Sequence, residues 1–106
     1  MKFVAGNPDV RVAVVGYGYW GSKHMRVLSS MPGVRVTIVE NDPDRIAEAR
    51  RSYPSAESAH DLGDVLGRVD AVVVATPPTS HAAVALRALR HGLHALVEKP
   101  LATTVE

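Results

Sequence analysis

The sequence predicts an α/β domain in which one open parallel sheet carries helices on both faces. Three observations support this. Valine-rich runs alternate with segments of helical period from Val10 to Val97. The strongest run, Ala71-Val72-Val73-Val74-Ala75, is apolar on both faces, as a strand covered from both sides must be. The first run, Val10 to Val15, stops at Gly16-Tyr17-Gly18-Tyr19-Trp20-Gly21, whose glycines have the G-x-G-x-x-G spacing of a strand that turns into a helix around a phosphate.

Composition sets the outer bounds. A chain of this length fits one domain, with residues 1–9 read as a lead and 10–106 as the folded unit. The hydrophobic fraction of 46%, the charged fraction of 22% and the net charge of +1 are those of an ordinary globular protein, with no general pull toward nucleic acid or membrane. The absence of cysteine excludes disulfides and thiolate metal sites. The apolar patch Phe3-Val4-Ala5 is too short for a signal-peptide core, and no run approaches the roughly 20 apolar residues of a membrane span. A cytoplasmic location is the expectation.

The elements follow in order. Trp20 to Met31 reads as a helix with Trp20, His24, Val27, Leu28 and Met31 on its apolar face, ended by Pro32-Gly33. Val34 to Val39 is a second strand, closed by Glu40-Asn41-Asp42-Pro43, where Asp42 can cap a helix and Pro43 can occupy its first turn. That helix reaches about Tyr53 with Ile46, Ala49 and Tyr53 inward, and Pro54 stops it. Ala56 to His60 is a weak third strand. Asp61 to Gly67 reads as a short helix capped by Asp61. After the central strand, Thr76-Pro77-Pro78 breaks the chain. A long helix then runs from Thr79 or Ser80 to about His91, with Val84, Ala85, Ala88 and Leu89 inward and Gly92 as its stop. Ala95 to Val97 makes a fifth strand.

Right-handed crossovers fold this alternation most simply into the strand order 3-2-1-4-5, a Rossmann-type doubly wound sheet lacking its sixth strand. Thr103-Thr104-Val105-Glu106 has capping-box spacing for a helix that does not follow, so the chain reads as truncated.

Each candidate site residue carries a functional and a plain reading. Gly16 would make the tight turn, Gly18 would admit a pyrophosphate to the backbone, and Gly21 would let helix and strand pack closely; a turn that binds nothing would use the same glycines. Glu40, about 20 residues after Gly21, stands where a carboxylate accepts both hydroxyls of an adenosine ribose and repels a 2'-phosphate, favouring NAD over NADP. The plain alternative is a solvated strand end beside a helix start, and Arg45 could come near and soften the selectivity. Thr76, Pro77 and Pro78 stiffen the rim at the topological switch point or merely break a strand. His81 faces the cofactor or simply starts a helix. Tyr17, Tyr19 and Trp20 are expected to pack on the sheet and to shield the pyrophosphate. His24, His60, His91 and His94 form no metal-site pattern, so no metal is expected. Glu98 and Lys99 lie just past the fifth strand on the ligand edge, and Lys99 could also be a solvated lysine in a proline turn.

Together GYGYWG at 16–21, Glu40 in VENDPDR, ATPPTSH at 75–81 and VEKPLATT at 97–104 resemble the Gfo/Idh/MocA oxidoreductases from Val10 onward. The resemblance implies an NAD(P)-binding domain of an enzyme that passes hydride between nicotinamide and a hydroxyl of a sugar, polyol or nucleotide sugar. It implies that Lys99 is the catalytic-site residue, with a cis peptide before Pro100. It further implies that a C-terminal domain, absent from this chain, supplies the other catalytic groups and any homo-oligomer interface. The 106-residue chain alone is then expected to be inactive. The rival expectation is a nucleotide-binding module without catalysis, or one that needs a separate partner chain.

Overall fold

The computed structural model describes residues 9–97. Five strands, β1 (Val10–Val15), β2 (Val34–Val39), β3 (Glu57–Ala59), β4 (Ala71–Val74) and β5 (His94–Val97), form one sheet in the order β3-β2-β1-β4-β5. Every pairing is parallel, with Val12 beside both Val36 and Ala71, and Val73 beside Leu96. This is the Rossmann order expected from the sequence.

Alternation along the strands fills a core on each face. Val12 and Val14 point toward helices α1 (Tyr19–Ser29) and α2 (Pro43–Ser52), where they meet Met25, Ala49 and Tyr17. Ala13, Val15, Val72 and Val74 point to the opposite face, against Ala85 and Ala88 of helix α3 (His81–Arg90) and against Leu62 and Val65. At the amino-terminal edge Arg11 and Asp70 clasp β1 to the start of β4. The Arg11 amide donates to Asp70 Oδ2 at 2.8 Å and the guanidinium reaches Oδ1 at 3.2 Å. These bonds hold the Asp70 carboxyl below its ordinary pKa.

Three local expectations need correction. The inward face of α1 is Gly21, Met25 and, in part, Leu28; Trp20 is 56% exposed, Val27 53% and Met31 47%. Close packing at Gly21 rotates the helix so that a glycine, invisible to any hydrophobicity pattern, leads the buried stripe. In α3 the buried set is His81, Ala85 and Ala88, while Leu89 faces outward. The segment after β3 forms only a single 3-10 turn, Leu62–Asp64, with Asp61 Oδ2 accepting from the Gly63 amide at 2.9 Å. Gly63 and Gly67 make a longer helix costly there.

Candidate cofactor-binding site

The carboxyl ends of β1, β2, β3 and β4 open onto a cleft of about 550 Å³, within the ordinary range for small-molecule sites. A second depression of about 400 Å³ lies around Arg11, Arg35 and Arg68 near the amino-terminal edge, away from the glycine turn.

The turn is built by its glycines. Gly16 has φ +99°, and a β-carbon there would lie 2.8 Å from the Ala75 carbonyl oxygen. Its amide donates to the Val39 carbonyl at 2.7 Å, joining the turn to the end of β2. A β-carbon on Gly21 would overlap the Gly16 carbonyl oxygen, so helix and strand meet backbone to backbone. Gly18 differs. A β-carbon there would meet no atom of the described protein nearer than Arg45 Nη1 at 3.7 Å. Its lack of a side chain answers no internal contact and leaves the backbone open to a ligand. Gly18 is also the N-cap of α1, with no side-chain cap bond and no acidic residue in the first turn. The first-turn amides at Tyr19 and Trp20 have no partner within their own helix, and the dipole favours an anion there.

Tyr17 is buried and part of the core beside α2. Burial raises its phenol pKa, helped by nearby Tyr53 and opposed by a hydrogen bond with Ser52. Tyr19 and Trp20 do not pack on the sheet as expected. They stand 69% and 56% exposed at the head of α1, edge to face with centroids 5.1 Å apart, and the Lys23 ammonium lies over Tyr19. A helix start whose inward position is Gly21 leaves both preceding side chains outside.

Glu40 is only 6% exposed. Its Oε1 accepts the Tyr17 amide at 2.8 Å and its Oε2 accepts the Asp42 amide at 2.9 Å, while Arg45 Nη1 stands 4.0 Å from Oε1. Each carboxylate oxygen keeps a second lone pair, so a ribose diol can still be bound.

On the far wall, the Ser80 hydroxyl lies 2.8 Å from Thr76 Oγ1, and the Ser80 amide donates to the Pro77 carbonyl at 2.9 Å. Thr76 and Pro77 line the cleft. His81 does not: it is 2% exposed and turned inward, its Nε2–H donating to the Thr76 carbonyl at 2.6 Å. That bond joins the first side chain of α3 to the backbone just after β4. Pro78 opens the 3-10 turn Pro78–Ser80. Glu98, Lys99 and the Lys99-Pro100 bond lie outside the described residues.

Sequence reasoning passed over other parts of the wall. Leu62, Ala83 and Val84 give it apolar surface, and Arg87 approaches Asp61 at 3.4 Å. The Gly63 amide and then Arg87 lower the Asp61 carboxyl pKa. Asp61 was findable, since it follows β3 at the ligand edge; Arg87 lies too far along α3 for any local signal. The donor set fits a dinucleotide, with an open helix end for a pyrophosphate, a carboxylate for a ribose and apolar surface for a base.

The sequence model of an oxidoreductase family with an NAD-binding Rossmann fold, GFO_IDH_MocA, matches residues 10–106. The chain belongs to this family. Among its Gfo/Idh/MocA relatives, 4-carboxy-2-hydroxymuconate-6-semialdehyde dehydrogenase of Sphingobium sp. is 38% identical over 96 residues, covering 88% of this chain and 30% of the relative. Inositol 2-dehydrogenase of Rhodococcus erythropolis is 37% identical over 108 residues, covering 97% and 31%. A solved structure of the WlbA dehydrogenase from Bordetella pertussis, in complex with NADH and UDP-GlcNAcA, superposes with a TM-score of 0.82 at 26% identity, covering 92% of this chain and 30% of that one. The chain thus spans about a third of the length of these relatives. No described helix is long and apolar enough to cross a membrane.

Proposed function

We propose that residues 10–106 form the cofactor half of an NAD-dependent dehydrogenase that passes hydride between nicotinamide and a carbinol carbon of a sugar, polyol or nucleotide sugar. The observation that carries this reading is the pairing of the open backbone at Gly18 with the buried carboxylate of Glu40 across the turn. The inositol dehydrogenase and the UDP-GlcNAcA complex among the relatives support the substrate class. When bound, the nicotinamide supplies the redox chemistry, and the chain's own groups bind and orient it.

The amides at the head of α1 would hold the pyrophosphate, with Gly16, Gly18 and Gly21 shaping the approach and Tyr19 and Trp20 at its outer rim. Glu40 would hold the adenosine ribose. Thr76, Pro77 and Pro78, with Glu98 beyond the described residues, would border the nicotinamide side. Lys99 would hydrogen-bond the reacting hydroxyl and stabilise alkoxide charge as it develops. The substrate groups and any homo-oligomer contact are assigned to the further domain that family resemblance implies, and the enzyme to the cytoplasm.

Calorimetry of the chain with NADH, NADPH and ADP-ribose tests the cofactor assignment. NADH should bind at least about tenfold more tightly than NADPH, because the Glu40 carboxylate accepts a diol and repels a phosphate. ADP-ribose should retain much of the NADH affinity. Equal affinity for NADH and NADPH would overturn the role given to Glu40.

A further inference from the structure

We propose that Glu40 is also a positioning residue for the phosphate turn: one buried carboxylate ties the Tyr17 amide of the turn to the Asp42 amide at the head of α2, so ribose and pyrophosphate recognition share a single group. This rests on the cofactor reading above.

The Tyr17 amide donates to Glu40 at 2.8 Å and therefore faces away from any bound phosphate. What the bond does is orient the peptide that leads into Gly18. Glycine has the widest conformational choice of any residue, so a turn ending at Gly18 needs an external hold to present the following amides in one direction. Three holds are visible. The Gly16 amide is fixed to the Val39 carbonyl, the Tyr17 ring is buried in the core, and the Tyr17 amide is fixed to Glu40, which is the last tether before Gly18. The second oxygen of Glu40, on the Asp42 amide at 2.9 Å, anchors the tether to α2. A carboxylate only 6% exposed is stable when it accepts such bonds, and both are charge-assisted.

Glu40→Gln separates this role from its alternatives by the sign of the effect. A glutamine oxygen can accept at one of the two positions, while its NH₂ sets donor against donor at the other. If Glu40 acted only on the ribose or through its charge, removing that charge would leave the affinity for inorganic pyrophosphate unchanged or raise it, since like charges repel. If Glu40 holds the turn, the affinity falls.

Inorganic pyrophosphate, which has no ribose, is titrated into the wild-type chain and into Glu40→Gln by ¹H–¹⁵N NMR, with NADH titrated into the wild type in parallel. The expected result is weaker pyrophosphate binding by about five- to tenfold in the folded variant. Unchanged or tighter binding overturns the proposal. If the variant does not fold, amide hydrogen exchange in the wild-type chain decides: the Tyr17 and Asp42 amides should be protected without ligand, and exchange as fast as an open loop overturns the tether. A wild-type chain that binds neither NADH nor pyrophosphate overturns both this proposal and the cofactor reading. NADH binding with pyrophosphate affinity indifferent to Glu40→Gln overturns this proposal alone.

Discussion

Helices α1 and α2 begin at the same edge of the sheet, after neighbouring parallel strands, yet their amino ends are finished in opposite ways. Asp42 caps α2, its side chain accepting the Asp44 amide at 2.9 Å, with proline in the first turn and the acidic Asp44 beside it. The start of α1 has a glycine cap, no side-chain acceptor and no acid in the first turn. One helix caps a first-turn amide and meets its dipole from its own sequence; the other has neither a side-chain cap nor a first-turn acid, as the proposed anion site requires. Glu40 spans the two ends, with one oxygen on each loop. The difference shows how two similar β-α units can be finished differently: the start of α2 is capped by its own side chain, and the start of α1, where the pyrophosphate site is proposed, is not.

The largest expected effect comes from closing the gap between α1 and β1. Gly21→Ala places a methyl group on the Gly16 carbonyl oxygen, and urea unfolding should show a loss of about 3 kcal/mol or more, or no folded protein. A mild effect would mean that the helix can lift without consequence. Next, Gly18→Ala meets no atom of the described protein closer than 3.7 Å, so the fold should change by under about 1 kcal/mol. NADH affinity should nevertheless fall about tenfold, the penalty of a methyl group against a closely packed ligand. Parallel losses of stability and affinity would show that Gly18 serves the fold alone. The smallest effect is at the other helix: Asp42→Ala removes the cap and should lower stability by about 1 kcal/mol in thermal unfolding. NADH affinity should change little, and a loss as large as that for Gly18→Ala would erase the distinction between the two ends.

Much of this site was legible residue by residue. G-x-G-x-x-G located the turn because its geometry can be built only with glycine at Gly16 and Gly21, and a requirement that strict leaves a mark in sequence. Glu40 was legible from its place at the end of β2. That its oxygens would already hold Tyr17 and Asp42 was not, because the Tyr17 partner lies 23 residues away and the bond is made by a backbone amide common to any residue type. The aromatic pair and the inward turn of His81 were misplaced or left open for a related reason. Periodicity counts apolar side chains, whereas the rotation of α1 is set by the residue with none.

The sequence by itself determined the alternation of strands and helices, the parallel sheet, its strand order and the edge at which the glycine turn lies. Those follow from apolar periodicity, turn residues and the handedness of crossovers, all local or nearly universal. Only the tertiary structure decided which face of α1 is buried, how far the segment after β3 is helical, and which groups close around Glu40. Those outcomes depend on contacts that no hydrophobic pattern records, Gly21 against Gly16 across the helix-strand junction and Glu40 between two loops, one of them 23 residues away. A backbone atom takes part in each of those contacts, and backbone atoms are the same at nearly every position of the chain.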